Sequence, residues 1–136
     1  MYEVFEHTAD LGLRVHAATR EELYVDAARG LFSVVVANPA AVRIVDNRTI
    51  EIEGTQDDYL LFDWLNELLY LFDTQRLLLV QFSVRLHELG LTATCAGEPI
   101  DPARHIMEHE VKAITYHGLK VEAVDGGWLA EVIVDI

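Results

Sequence analysis

One stretch constrains the fold of this chain more than any other: TQDDYLLFDWLNELLYLFD, residues 55–73. Wound at 100° per residue, Leu61, Leu65, Leu68 and Phe72 form the centre of an apolar face. Trp64, Leu71, Phe62 and Leu69 widen that face to well over half the circumference. A helix this apolar cannot rest on a surface with one side in water, so it lies between layers. Only Asp63, Asn66, Glu67 and Tyr70, at i, i+3, i+4 and i+7, are left as a polar stripe. That stripe reads either as the solvent side of the helix or as a functional face. Thr55 is the expected cap, with acids in the first turn at the positive end of the helix dipole.

The layers around such a helix must be sheets, because most of the remaining chain alternates. LGLRVHA puts Leu11, Leu13, Val15 and Ala17 on one face, with Arg14 and His16 on the other. Thr19 and Glu22 then form a capping-box pair that opens a second helix, with Leu23, Ala27, Leu31 and Val34 at helical spacing and Asn38-Pro39 closing the segment. VRIVDNRTIEIEG reads as a hairpin turning at Asp46-Asn47. VQFSVRL sets Val80, Phe82, Val84 and Leu86 inward and turns near Gly90 into HELGLTATCAG. EPIDPARHIMEHE is a polar loop marked by Pro99 and Pro102. The last 26 residues read as three strands, divided at Gly118 and at Asp125-Gly126-Gly127. Two long helices among seven or eight strands predict an α+β fold, a mixed or antiparallel sheet sandwich, with residues 1–136 as one domain.

Composition narrows function by exclusion. The net charge is −13, and the two lysines, Lys112 and Lys120, form no basic stripe. A counterion-release grip on phosphates needs clustered cations, so direct RNA or DNA binding is disfavoured. An acidic surface suits metal cations or a basic protein partner instead. The single cysteine, Cys95, excludes an internal disulfide and a cysteine-cluster zinc site, and its alternating position with Leu91 and Ala93 predicts a buried small hydrophobe. MYEVFEHTAD has neither the basic start nor the apolar run of a signal peptide, and no apolar run reaches membrane-spanning length, so an intracellular, cytoplasmic protein is expected.

Three local patterns bear on chemistry. His105-x-x-Glu108-His109 matches a zinc-peptidase spacing, but that chemistry needs a helix to carry both histidines. Pro102 precedes it by three residues and strand follows at once, so it reads as loop. Ser33 and Ser83 fall mid-helix and mid-strand, without a nucleophile elbow, and no glycine-rich phosphate cradle precedes either helix. EHTADLG is more informative, since His7 and Asp10 flank a break between two runs. Asp10 there satisfies local amides in an Asx-type turn, or it ligates a cation with oxygens from elsewhere.

Those oxygens are available at the chain's end. EVIVDI places the Asp135 carboxylate next to the α-carboxylate of Ile136, two anions that repel unless a cation, a proton or a cationic side chain intervenes. Carboxylates without cysteine favour a hard cation of the Ca²⁺ or Mg²⁺ class. Spacing alone does not bring Asp10 and Asp135 together.

HTADLGLRV, TREELYVDAARGLF, LLFDWLNELLYLFD, GEPIDPARH, EVKAITYHGLKV and the terminal IVDI together resemble the archease family, in order from Glu6 to Ile136. The resemblance implies an α+β sandwich and a non-enzymatic role as protein cofactor of the GTP-dependent RNA-splicing ligase. Members promote formation of the ligase's histidine–GMP intermediate and allow repeated turnover in tRNA splicing and RNA repair. It also implies a divalent-metal site built from Asp10, the side chain of Asp135 and the α-carboxylate of Ile136. RNA would then be met only through the ligase. Lys112 is a further functional candidate or a snorkelling surface lysine. His7 is a candidate to orient Asp10 from behind. The rival readings are a small metal-dependent hydrolase or phosphotransferase using the same carboxylates, and a chaperone-like interaction module.

Overall fold

A computed structural model describes residues 1–7 and 10–136. Its elements run β1 (Tyr2–His7), β2 (Asp10–Ala17), α1 (Arg20–Val35), β3 (Asp46–Glu53), α2 (Asp57–Gln75), β4 (Leu77–His87), β5 (Gly90–Pro99), β6 (Ala113–Val124) and β7 (Gly127–Asp135). Two sheets form, a four-stranded one in the order β1-β2-β7-β6 and a three-stranded one in the order β3-β5-β4. Every pairing among these strands is antiparallel.

The helices occupy the space between the sheets, as the apolar girth of α2 requires. α1 packs on β2, β1 and β7 of one sheet and on β4 of the other. α2 touches α1, β6 of the first sheet and all three strands of the second. Leu61, Trp64, Leu65 and Leu68 are fully buried, as are Leu23 and Ala27 of α1 and Leu13 and Val15 of β2. Burying each such aliphatic side chain contributes about 1.5–3 kcal/mol. The Trp64 indole would leave an unpaired N–H in this core, but Nε1 donates to the carbonyl of Tyr24 at 2.9 Å.

The N-termini of the helices are held in different ways. Thr19 caps α1, its hydroxyl accepting from the Glu22 amide at 3.2 Å. α2 departs from expectation: its cap is Gln56, which makes no side-chain capping bond. Asp58 accepts from the Tyr59 amide at 2.9 Å, while Asp57 ties this end to α1, accepting from Arg20 Nη2 at 2.6 Å and from the Tyr24 hydroxyl at 2.9 Å.

Two further expectations are corrected. Asp46-Asn47 is no hairpin turn, because both residues lie in β3 opposite Gly97 and Ala96 of β5. The preceding residues run on along β5: Val45 donates its amide to the Gly97 carbonyl and Arg43 donates its own to the Glu98 carboxylate. A two-residue turn wants φ > 0 at both centres, and Asp-Asn followed by Arg offers no glycine for it. The last 26 residues hold two strands, not three. Gly118 does not end a strand; it sits at φ 68° within β6, where the register on β7 shifts between Thr115 and Lys120. The extra residues form a bulge. The Asp125-Gly126 turn is as read, with Gly126 at φ 81°.

Cys95 is buried and its thiol is pushed up to about 12 by burial alone, which suits a packing residue. The His105–His109 segment is loop. His105 is buried in it as a structural residue: Nδ1 accepts from the Asp101 amide at 2.8 Å, which leaves Nε2 to donate to Glu98 at 3.1 Å. No described helix is long and apolar enough to cross a membrane.

Candidate functional site

The ladder of the four-stranded sheet decides what spacing left open. Asp10 of β2 is the register partner of Asp135 of β7. His7 of β1 is the partner of Asp10, and Ala113 of β6 is the partner of Asp135. Directly opposed residues in a sheet share a face with Cβ atoms about 4.5–5.5 Å apart. One row across four strands therefore reads His7, Asp10, Asp135, Ala113. The opposite face carries Leu13, Val15, Val132 and Val134 into the core, so alternation directs this row outward.

Both carboxylates are only partly exposed, and the chain ends one residue past Asp135. The Ile136 side chain packs against the core, which holds the terminus at the end of β7 instead of letting it fray. Lys112 reinforces this by donating its amide to the Asp135 carbonyl at 2.7 Å. Two laterally paired carboxylates beside the terminal residue offer hard oxygen donors, the kind a divalent cation takes. Among the described residues, no three His, Cys, Asp or Glu side chains are grouped as a metal cage. The candidate set instead counts two side chains and a main-chain carboxylate. Thr8 and Ala9, which join His7 to Asp10, lie outside the described residues, and so does the Asx-type turn expected there.

The packing beneath the row depends on a glycine. A Cβ on Gly12, two residues along β2 from Asp10, would collide with the ring of Phe5. Phe5 lies over that position, and Arg14 covers Phe5 in turn at 4.6 Å from its centroid.

A second feature was not legible in the sequence. The polar stripe of α2 is not merely wet. Asp63, Asn66, Glu67 and Tyr70 line a groove of about 700 Å³ with Glu51 and Glu53 of β3, Asp73, Ala113 at the start of β6 and Lys112 just before it. Lys112 is the only cation among the described residues lining it. The groove adjoins the row of carboxylates, since Ala113 belongs to both. An amphipathic count finds the stripe, but only the packing of α2 beside β6 brings it to Lys112.

Next to the groove, the β6 bulge sets Tyr116 on Phe62 of α2 at 3.8 Å between ring centroids, with Tyr59 edge-on at 5.6 Å. Burial raises the Tyr116 hydroxyl's pKa, and the nearby Asp63 and Tyr59 add to it, so the ring stays a neutral phenol.

A family model for the archease protein family matches residues 2–136. The chain belongs to the archease family. It is similar to archease of Methanopyrus kandleri, 42% identical over 139 residues with 99% of each chain covered. It is 39% identical over 143 residues to archease of Pyrococcus furiosus, covering 99% of this chain and 98% of that one. The solution structure of Methanobacterium thermoautotrophicum protein 1598 superposes with a TM-score of 0.88 at 36% identity, over 99% of this chain and 98% of the other. A crystal structure of an archease from Thermotoga maritima, described as a possible chaperone, gives a TM-score of 0.64 at 20% identity over 100% and 98% of the two chains, which speaks to fold alone.

Proposed function

We propose that the chain is a non-enzymatic activator of the GTP-dependent RNA-splicing ligase, acting through a divalent cation held by Asp10, Asp135 and the Ile136 carboxylate. The observation that carries the reading is the register pairing of Asp10 with Asp135 at the chain terminus, beside a groove entered by Lys112. Membership in the archease family supports the cofactor role. The cation would supply a fixed positive charge at an otherwise repulsive cluster, and three carboxylates alone suit Ca²⁺ or Mg²⁺. Lys112 supplies a second positive point, able to meet a phosphate or an acidic side chain of the ligase.

The surface favours a protein over a nucleic acid as direct partner. A net charge of −13 and an acidic groove repel phosphodiesters, so the ligase holds the RNA and this chain meets it only there. Assays of ligase turnover with and without this protein test the reading, paired with hydrolysis assays on the protein alone. Conversion from single to multiple turnover is the expected result. Hydrolysis without the ligase, lost in Asp135→Ala, would overturn it in favour of a metal-dependent hydrolase.

A further inference from the structure

Each sheet turns one open strand edge toward the groove beside α2. β3 ends the three-stranded sheet and pairs only with β5, while β6 ends the four-stranded sheet and pairs only with β7. Glu51, Ile52 and Glu53 of β3 line the groove, as does Ala113 of β6, but no described residue of β5 or β7 does. The groove therefore lies on the open side of both strands, and α2 supplies most of the remaining lining. An edge strand presents a row of unpaired N–H and C=O groups, a template for another strand. Among the described residues, no loop backbone takes up those of residues 49–53 outside the ladder to β5. β3 is also the better template of the two. It pairs with β5 without interruption from Asp46 to Glu53, whereas the bulge between Thr115 and Lys120 breaks the ladder of β6.

Charge says what kind of strand fits that edge. Glu51, Glu53, Asp63, Glu67 and Asp73 set five carboxylates against the single ammonium of Lys112. None of the five joins an ion pair among the described residues, because Arg14, Arg20, Arg29 and Arg104 are held by acids elsewhere. Nor are any three of them grouped closely enough to cage a metal ion. Charge spread in this way is answered by cationic side chains arriving at intervals, as the alternate residues of an extended segment do. Tyr70 adds an exposed ring on which a guanidinium can stack. A second copy of this chain is the wrong occupant, since at −13 it repels itself and its ten basic residues are scattered.

We propose that the open edge of β3 takes up an extended arginine- or lysine-rich segment of a partner protein as an added strand, its basic side chains meeting the carboxylates of β3 and α2. Main-chain hydrogen bonds hold such a segment, and its alternate side chains select it. Lys112 calls for a neutral or acidic residue opposite it. This assignment goes beyond the ligase reading and holds with or without a bound cation.

A synthetic peptide alternating arginine with threonine is the probe, a glutamate–threonine peptide is its control, and calorimetry follows binding to the full chain. The arginine peptide should bind and the glutamate peptide should not. Two further peptides carry backbone N-methyl groups, one at the arginines and the other at the threonines. A strand pairs along one edge through alternate N–H groups, so only one of these two should lose about tenfold or more in affinity as its hydrogen bonds go. Glu51→Gln combined with Glu53→Gln should weaken the arginine peptide about threefold to tenfold, while Asp125→Asn, in the β6–β7 turn, should leave it unchanged. Amide exchange in the complex should slow along residues 49–53. Melting temperatures of the free variants show that each folds. Equal affinity of the two N-methylated peptides overturns strand addition. An arginine peptide that does not bind, or protection confined to β6, overturns the assignment to β3. Ligase turnover enters none of these measurements, so failure of the ligase reading leaves them standing.

Discussion

Lys112 donates its backbone amide to the carbonyl of Asp135 at 2.7 Å, while its side chain lines the acidic groove beside α2. One residue therefore secures the chain's last peptide bond and places the groove's positive charge. The two roles use different atoms, so substitution separates them.

Lys112→Ala keeps the amide and removes the ammonium. Ligase activation should be abolished, while stability moves by no more than about 0.5 kcal/mol, as for other exposed side chains. Turnover kinetics and a thermal melt on the same preparation decide the matter. Equal loss of folding and activation would mark Lys112 as structural.

A short C-terminal tag converts the Ile136 carboxylate into a neutral amide and pushes new chain into the row of Asp10 and Asp135. Metal affinity and ligase activation should both fall, with the melting temperature close to that of the untagged chain, because the core is built elsewhere. An N-terminal tag is the control. A C-terminally tagged protein that binds metal and stimulates the ligase normally would exclude the terminus as a ligand.

The buried Glu98 predicts an acid limb to stability. Arg104 Nη2 at 2.5 Å is the main cause of a carboxyl pKa lowered to about 2, followed by the Arg43 amide, with His105 adding to it. The folded value lies below the ordinary carboxyl value of 4.5, so this stabilisation is complete above about 4.5 and is lost as pH falls toward about 2. Melting temperature followed from pH 7 to pH 2 should drop through that window, and Glu98→Gln should flatten the drop. Parallel curves for the two proteins would show that other carboxylates drive the acid limb.

Within α2 the two faces should respond differently. Leu65 is fully buried, and Leu65→Ala should cost about 2–5 kcal/mol through lost contact and a residual cavity. Asp63→Ala, on the exposed stripe, should stay within about 0.5 kcal/mol. Urea denaturation of both variants gives the comparison. A small loss for Leu65→Ala would contradict a closely packed interlayer helix.

Much of this molecule follows from local periodicity. The girth of apolar residues on α2 implied an interlayer helix, and β2 alternates as LGLRVHA requires, because side-chain direction repeats every 3.6 or 2 residues whatever the neighbours are. Thr19 caps α1 and Asp125-Gly126 turns β6 into β7, since both act over a few bonds. The family resemblance carried Asp10, Asp135 and Ile136 as a set, but no local rule joins residues 10 and 135.

What failed at the local level failed where a distant segment supplied a partner. Asp46-Asn47 was drawn into β3 by β5, about fifty residues later in the chain. Asp57 found Arg20 and Tyr24, and the cap position of α2 fell on Gln56, not Thr55. Gly118 looked like a strand end and is a bulge, because the β7 ladder resumes at Lys120. The segment EPIDPARHIMEHE reads as a polar loop, yet Glu98 and Pro99 belong to β5, and His105 of the loop is buried against Glu98.

By itself, then, the sequence determined which segments are helix and strand and which faces are apolar, because those depend on backbone geometry shared by every chain. Only the tertiary structure decided which strand edges pair, and so which side chains meet. Register across a sheet is set by the summed burial and hydrogen bonding of whole strands. A slip of one residue in β2 on β7 would turn Leu13 and Val15 outward and part Asp10 from Asp135. The apolar face of the strand thus fixes the register that aligns the two carboxylates.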